Sequence, residues 1–289
     1  MNKLVLMLLY MMLAGVGQLF AQLPASVYIT AGQSNADGRV YNTQLPTYLK
    51  DGYRHLNYKN VTSASNGKFE QRSFDNPKQR WAFCDVVNYL IDQQSQSPFY
   101  SIKCTEGGTS IDTAATAPTK PVWFADAEWI DANKAYRGDI LTGKSLTKSL
   151  IEGFYDCVDS TLSKLAQGYD VKAIMWHQGE SDRKKADNYY KNFKEMILYM
   201  RNAIYEKTGD EKDKTLPFIF GTVSRKSRQY SSRVEAAQLK VAAELPNVYV
   251  IDLSKSPLGK DVLHFDSAGT DNLGRKMFKK LIELNLVVE

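Results

Sequence analysis

Cysteine and histidine are both scarce in this sequence, with three of each among 289 residues. The three cysteines are Cys84, Cys104 and Cys157, and the three histidines are His55, His177 and His264. The cysteines lack C-x-x-C spacing, which excludes the usual structural zinc sites, and their number excludes a small disulfide-dense scaffold. Three scattered histidines also argue against a histidine-rich metal site. We therefore predict that the protein uses no metal or organic cofactor.

Charge of one sign is not in large excess. The chain has 37 lysines and arginines against 32 aspartates and glutamates, for a net charge of +5. The densest basic stretch, 224–233, is typical of a solvated loop and helix start, so we predict no nucleic-acid partner. A content of 43% hydrophobic and 24% charged residues is ordinary globular usage, which excludes disorder and fibrous repeats.

A long apolar run is present at the N-terminus, where Lys3 precedes a nearly continuous apolar stretch from Leu4 to Ala14. The stretch is too short to span a bilayer comfortably, and small residues follow it. This pattern predicts a signal peptide over residues 1–21, cleaved after Ala21, and a secreted or periplasmic protein without stable membrane insertion. The alternative is an uncleaved membrane anchor. Export permits a disulfide, but an odd number of cysteines and their apolar surroundings favour buried free thiols.

Short apolar strands alternate with longer amphipathic helices from Pro24 onward. Strands are predicted at Ser26–Ala31, Phe99–Cys104, Val171–Trp176, Leu216–Val223 and Asn247–Leu253. Helices are predicted at Pro77–Gln94, Ser145–Ala166, Asn188–Lys207, Ser232–Leu245 and Gly269–Leu284. Such alternation predicts an α/β fold with a five-stranded parallel sheet covered by helices on both faces.

No change in composition divides the chain, so we expect residues 22–289 to form a single domain. Two long stretches, Arg39–Asn76 and Thr109–Lys144, lack strong periodicity and are rich in aromatic residues, asparagine and glycine. We expect both to be insertions above the carboxyl ends of the strands, where ligands bind in folds of this type.

Polar clusters follow each of the first three predicted strands. The clusters are Gly32-Gln33-Ser34-Asn35, then Glu106-Gly107-Gly108-Thr109-Ser110, and then His177-Gln178-Gly179-Glu180-Ser181-Asp182. A serine at a strand-to-helix turn is either a presented hydroxyl or a helix N-cap. Adjacent glycines either let a backbone N–H approach a ligand or form a plain turn. A buried glutamine amide can donate to an oxyanion without ionising.

Near the C-terminus, Asp261 precedes His264 by three residues, followed by a helix. An aspartate at this spacing can accept the Nδ1 proton of the imidazole, which leaves Nε2 free to take a proton from a serine. The alternative is a structural histidine. His55 has no such acidic partner, and we interpret it as a surface or pocket contact.

In chain order, the segments GQSN, GGTS, HQGESD and DVLH resemble the SGNH-hydrolase superfamily. Within it they resemble the carbohydrate acetylesterases, which include sialate O-acetylesterase-like proteins and acetyl xylan esterases of carbohydrate esterase family six. The resemblance spans Gly32 to His264 and implies a three-layer α/β/α, flavodoxin-like fold. It implies that Ser34 is the nucleophile, His264 the base and Asp261 the acid that orients it.

The same resemblance implies an oxyanion hole formed by Ser34, Gly107 and Gln178. We expect substrate contacts from Gln33, Asn35, His177 and Glu180. Lipase-like members have an aspartate before the serine and an asparagine in the third segment, whereas this chain has Gln33 and Gln178, which agrees with the acetylesterases. That group often has tyrosine in place of His177, which leaves a role for His177 in substrate choice open.

The predicted function is therefore a secreted carbohydrate O-acetylesterase that uses a Ser-His-Asp mechanism on O-acetyl sialate or on an acetylated xylan-type glycan. Two alternatives remain at this point. The aromatic residues of the two insertions are also typical of a carbohydrate-binding protein without turnover. The same triad also supports acetyl transfer to another sugar rather than to water.

Overall fold

Six parallel strands form the central sheet of the structure, a computed structural model in which residues 23–62 and 66–287 are described. The strands are β1 (Ala25–Gly32), β3 (Leu56–Asn60), β5 (Phe99–Thr105), β6 (Tyr169–His177), β7 (Phe218–Gly221) and β8 (Val248–Ile251). They are ordered β3-β5-β1-β6-β7-β8, and every neighbouring pair is parallel. The predicted signal peptide, residues 1–21, lies outside the described residues.

Helices cover both faces of this sheet. The α-helices are α1 (Ser34–Asp37), α2 (Phe83–Gln94), α3 (Ala127–Ala132), α4 (Leu146–Ser160), α5 (Ala186–Thr208), α6 (Ser232–Glu244) and α7 (Ser267–Glu283). Apolar side chains of α4, α5 and α6 pack with one face of the sheet, and those of α2 and α7 pack with the other. The result is the expected three-layer α/β/α arrangement.

The sheet has one strand more than the sequence predicted. The additional strand, β3, lies within the stretch 39–76 that was expected to be an irregular insertion, and it pairs with β5 at the edge of the sheet. Its sequence, LNYKN, contains too few apolar residues to indicate a strand. Only Leu56 and Lys59 are buried in it, and its outer side is paired only by an isolated bridge between Tyr58 and Glu70. The prediction of five strands was therefore wrong.

A small antiparallel pair lies in the same part of the chain. Its strands are β2 (Val40–Tyr41) and β4 (Arg80–Trp81). Trp81 is fully buried with Val40, Leu45 and Leu49 in a separate apolar cluster. This cluster anchors the segment that follows Ser34 against helix α2.

The central strand, β1, is buried along its whole length. It lies between β5 and β6. Strands β5 and β3 lie on one side of it, and strands β6, β7 and β8 lie on the other, so the strand order reverses at β1. A parallel sheet has its ligand crevice at such a reversal of strand order, outside the carboxyl ends of the strands. The fold therefore places the ends of β1, β5 and β6 around one crevice.

All three cysteines are buried free thiols. Burial raises the pKa of Cys84 and of Cys157 to about 12, so both remain protonated at neutral pH. No helix in the described part of the chain is long and apolar enough to cross a membrane.

Candidate active site

Gly32 brings the end of β1 close to the end of β6. Its φ is +134°, and a Cβ atom at this position would lie 2.2 Å from the carbonyl oxygen of His177. The next residue, Gln33, donates its backbone N–H to that same carbonyl at 3.0 Å. This close approach turns the chain sharply into α1, whose first residue is Ser34. The Ser34 hydroxyl is thus held at the edge of the sheet.

His264 reaches Ser34 from a loop 230 residues further along the chain. Its Nε2 lies 3.1 Å from Ser34 Oγ, and its Nδ1 lies 2.7 Å from Asp261 Oδ2. The other oxygen of Asp261 accepts the backbone N–H groups of Leu263 and His264, at 2.9 and 3.0 Å. The structure therefore brings together the three residues that the sequence predicted as nucleophile, base and orienting acid.

The groups around Asp261 favour its ionised form. Partial burial acts to raise the pKa of its carboxyl, but the hydrogen bonds from the His264 and Leu263 backbone and from the His264 ring outweigh burial and lower the pKa. An ionised Asp261 fixes the proton of His264 on Nδ1, which leaves Nε2 as an acceptor facing Ser34. The arrangement can deprotonate the serine during attack on a carbonyl carbon.

Two backbone N–H groups lie at the edge of this site. The N–H of Ser34 donates to no group within the described part of the chain. The N–H of Gly107, which follows β5, donates to its neighbour's carboxylate, Glu106 Oε1, at 3.0 Å. Tyr136 donates to the other oxygen of Glu106 at 3.3 Å. Glu106 thus occupies one of the three donors predicted to bind an oxyanion, the N–H of Gly107.

Gln178 differs from its predicted position. It is fully buried and does not line the cavity at Ser34. Its amide nitrogen donates to Asp182 and to the carbonyl of Thr109, and its amide oxygen accepts from Tyr189. Both amide hydrogens are therefore in use. A buried carboxylate therefore competes with an oxyanion for the Gln178 amide, and the role of Gln178 as an oxyanion donor stays a prediction.

That carboxylate belongs to Asp182, which also accepts the backbone N–H groups of Ile111 and Asp112. Burial raises the pKa of Asp182 to about 6, although these hydrogen bonds oppose the rise. Asp182 thereby ties the segment after β6 to the segment after β5.

Three of the four expected substrate contacts lie beneath the site rather than in it. Asn35, His177 and Glu180 are each at most 5% exposed and do not line the cavity. Asn35 donates to Glu180 Oε1 at 2.7 Å, and it accepts the backbone N–H of Phe265 at 3.0 Å. Asn35 and His177 contact Phe265, the residue after His264, and Glu180 binds Asn35. Substrate contact by these three residues stays a prediction. Gln33 does line the cavity.

His177 packs edge to face against Phe265, with ring centroids 5.2 Å apart. Its Nε2 lies 3.3 Å from the carbonyl oxygen of Thr222, and its Nδ1 lies 3.8 Å from Glu180 Oε1. Burial lowers the pKa of His177 more than the nearby Glu180 raises it, so the ring is neutral at pH 7. His55 lies elsewhere, at the start of β3, where its backbone N–H binds Asp92.

The cavity at Ser34 has a volume of about 450 Å³. Three cationic side chains line it, from Arg39, Lys120 and Arg183, whereas no carboxylate of the described residues does. These residues were missed from the sequence, because an isolated lysine or arginine in a loop has no distinctive pattern. Lys120 lies in the predicted insertion 109–144, which does cover the carboxyl end of the sheet as expected. Within residues 23–62 and 66–287, no group of side chains is suited to a metal ion.

Comparison with known protein families identifies one family. A model of the family described as carbohydrate esterase, sialic acid-specific acetylesterase matches residues 24–283. No curated protein is significantly similar in sequence.

Solved structures share the fold at low sequence identity. A protein from Arabidopsis thaliana is 19% identical, with a TM-score of 0.65, and the match covers 90% of this chain and 98% of that one. NanS is 11% identical, with a TM-score of 0.64 and coverage of 91% and 98%. A carbohydrate acetylesterase from Xanthomonas citri is 18% identical, with a TM-score of 0.59, and the match covers 90% of this chain but 56% of that one.

Proposed function

Because the chain belongs to the carbohydrate esterase family of sialic acid-specific acetylesterases, we propose that it removes O-acetyl groups from an acidic sugar, with Ser34, His264 and Asp261 as its catalytic residues. The observation that carries this proposal is the continuous hydrogen-bonded series from Ser34 Oγ to His264 and on to Asp261, at 3.1 and 2.7 Å. A serine that faces a histidine Nε2, with a carboxylate on Nδ1, is the arrangement that acyl transfer requires.

The reaction proceeds in two steps. Ser34 Oγ attacks the acetyl carbonyl carbon while His264 Nε2 takes its proton. His264 then gives this proton to the sugar oxygen as the carbon–oxygen bond breaks, which leaves an acetyl group on Ser34. Water repeats the sequence and releases acetate. The backbone N–H groups of Ser34 and Gly107 stabilise the negative oxygen, and one such donor is worth about 2.7–4 kcal/mol in the transition state.

The charge of the cavity supports an acidic substrate over a neutral one. Arg39, Lys120 and Arg183 line the cavity without a carboxylate among its lining residues. A carboxylate-bearing sugar such as O-acetyl sialate is attracted to such a site, whereas a neutral acetylated xylan gains nothing from it. We therefore favour O-acetyl sialate of the two substrates that the sequence left open.

We also propose that the enzyme acts outside the cytoplasm, after cleavage of residues 1–21. The apolar stretch from Leu4 to Ala14 and the small residues up to Ala21 support this localisation. N-terminal sequencing of the exported protein tests it. A mature chain that begins at Gln22 is expected, and one that begins at Met1 would contradict the proposal.

The catalytic assignment is tested with Ser34→Ala. We expect this variant to lose roughly 10³-fold or more of kcat on a chromogenic acetyl ester, because the nucleophile is absent. Ser181→Ala is the matched control, since Ser181 lines the same cavity and the hydrogen bonds of the His264 ring go to Asp261 and Ser34 instead. Undiminished turnover by Ser34→Ala would disprove the mechanism.

The substrate is tested by measuring acetate released from O-acetyl sialic acid and from acetylated xylan. Faster release from the sialic acid is expected. Faster release from xylan would overturn the proposed substrate, and sugar binding without any acetate release would indicate a carbohydrate-binding protein.

A further inference from the structure

A second basic pocket lies beside the candidate active site, on the other side of Arg39. Its volume is about 390 Å³, and Arg39 lines both this pocket and the cavity at Ser34. Asp37 and Gly38 also line it. Asp37 ends helix α1, which Ser34 begins, so these two residues are three positions apart, or about 5 Å along the helix axis at 1.5 Å per residue. The two pockets are therefore adjacent.

Five cations line this second pocket, and three of them lack a partner of opposite charge. The five are Arg39, Arg72, Lys78, Arg80 and Lys103. Arg39 pairs with Asp37 at 2.6 Å, and Arg72 pairs with the buried Asp85 at 2.9 Å. Lys78, Arg80 and Lys103 have no carboxylate at ion-pair distance in the part of the chain that the structure describes. The pocket thus has an excess of positive charge.

Lys103 is an unusual lysine, because it is only 6% exposed. Its Nζ donates to the backbone carbonyl of Asp37 at 2.7 Å. Its pKa is raised, since the groups around it outweigh the lowering effect of burial, and the side chain is therefore charged at neutral pH. Asp37 and Asp85 favour this charge from beyond ion-pair distance, so within the described residues the ammonium group lacks a directly bound counter-ion. An anion in the pocket would supply that counter-ion.

An aromatic ring forms one side of the same pocket. Tyr41 is 45% exposed, and the guanidinium of Arg80 lies 5.0 Å from the centroid of its ring. The Arg80 side chain also donates to the Tyr41 hydroxyl at 3.3 Å. A tyrosine face next to fixed cations suits a ligand with both an apolar ring surface and a carboxylate. An acidic sugar has both features, whereas inorganic phosphate has only the charge.

We propose that this pocket is a subsite for a second acidic sugar, linked to the sugar that is deacetylated at Ser34, and that Lys78, Arg80 and Lys103 bind its carboxylate. The proposal rests on the proposed function, since it requires that an acidic glycan occupies the cavity at Ser34. It makes the preferred substrate an acidic oligosaccharide rather than a single sugar.

Steady-state kinetics with a monomeric and a dimeric sugar substrate test this subsite. The substrates are O-acetylated sialic acid and O-acetylated disialic acid. We expect the wild-type KM to be roughly tenfold lower for the dimer, equivalent to about 1.4 kcal/mol of additional binding. Lys78→Ala/Arg80→Ala is expected to abolish this difference and to leave kcat, and the KM for the monomer, unchanged. Added salt is expected to weaken dimer binding in the wild type more than in the variant.

The control is Lys191→Ala/Lys279→Ala, which removes the same charge from exposed side chains on α5 and α7. It should keep the tenfold difference. A wild type without a preference for the dimer, or a Lys78/Arg80 variant that retains the preference, would overturn the subsite.

Calorimetry with unacetylated disialic acid separates this proposal from the proposed function. If the subsite exists, the wild type binds this dimer more tightly than the Lys78/Arg80 variant, whether or not acetate is released from any substrate. Equal binding by the two proteins would overturn the subsite even in an active esterase.

Discussion

At the residue scale, the position of His264 depends on a strained loop. Val262, between Asp261 and His264, has a φ of +52°, a left-handed conformation that β-branched residues rarely adopt. Its carbonyl accepts the N–H of Arg228 at 3.0 Å, and its own N–H binds the carbonyl of Gly259 at 3.0 Å. These bonds offset a conformational cost of about 1–2 kcal/mol. The two hydrogen bonds thus support the loop conformation in which Asp261 Oδ2 lies 2.7 Å from His264 Nδ1.

The hydrogen bond between Glu106 and Gly107 predicts that removal of the Glu106 side chain raises kcat. Its carboxylate accepts the Gly107 N–H that we assign to the oxyanion, so this bond must break before the donor can stabilise the transition state. Glu106→Ala frees the N–H and removes a negative charge near the developing one. We expect kcat on a small acetyl ester to rise by roughly 3–10-fold, a fraction of the 10²–10³ that one oxyanion donor is worth.

The control for this prediction is Tyr136→Phe, which removes only the hydrogen bond to the far oxygen of Glu106. It should have a smaller effect of the same sign, because a less restrained carboxylate leaves Gly107 more easily. A fall in kcat for Glu106→Ala would contradict the interpretation and would indicate that Glu106 instead positions the loop after β5.

At the scale of elements, Asn35 joins three parts of the fold. It lies in α1, donates to Glu180 after β6, and accepts the N–H of Phe265 before α7. Asn35→Ala leaves a buried carboxylate and a buried N–H without partners, which costs about 1–3 kcal/mol for each group. We expect a lower free energy of unfolding and a lower kcat with little change in KM, because His264 loses its fixed position.

Chemical denaturation and steady-state kinetics on a chromogenic acetyl ester check this expectation. Asn42→Ala serves as the matched control, since Asn42 is a buried asparagine whose amide donates to the carbonyls of Phe74 and Asn76 and does not line the cavity at Ser34. The control should change stability without a specific loss of kcat. If Asn35→Ala kept full activity, the link from Asn35 to His264 would be wrong.

Sequence patterns predicted most elements because their apolar spacing is strong. The predicted helix 188–207 corresponds to α5, Ala186–Thr208, and the predicted helix 269–284 to α7, Ser267–Glu283. The predicted helix 145–166 is shorter, since α4 ends at Ser160 and a separate turn of 3-10 helix follows at Leu162–Lys164. The spacing of apolar residues does not indicate where a helix changes from an α to a 3-10 hydrogen-bond pattern.

The candidate site was predictable only in part, for a related reason. Ser34, Asp261 and His264 lie in segments with a recognisable order along the chain. Which polar groups face the cavity depends instead on three-dimensional competition for partners, as for Gln178, whose amide binds Asp182. Sequence spacing carries no information about such competition.

At the scale of the whole molecule, acid stability depends on groups buried beneath the site. Burial lowers the pKa of His177 below its unfolded value of 6.5, so the unfolded chain binds a proton that the folded chain does not. The stability that His177 contributes is therefore complete above pH 6.5 and is lost as the pH falls below it. Asp182 acts in the opposite direction, because its pKa of about 6 exceeds the unfolded value of 3.8.

The variant His177→Phe isolates the histidine contribution. Between pH 7.5 and 5.5, we expect the wild type to lose more unfolding free energy than the variant. The unfolded pKa of 6.5 limits this difference to at most about 1.4 kcal/mol, since pH 5.5 is one unit lower and each unit is worth 1.36 kcal/mol. The packing difference between the two side chains is the same at both pH values and cancels. Denaturation curves at the two pH values give the result, and parallel losses in both proteins would show that His177 is not the titrating group.

The central position of β1 has a consequence for biosynthesis. This strand is made first, but its neighbours β5 and β6 follow only after long intervening segments, and the partner of Ser34 is His264, 230 residues later. Such distant pairings are slow to form, because the chain must close long loops before any contact is gained. No fragment that ends before His264 can contain all three proposed catalytic residues. If these residues are catalytic, esterase activity is expected only from chains that extend past His264.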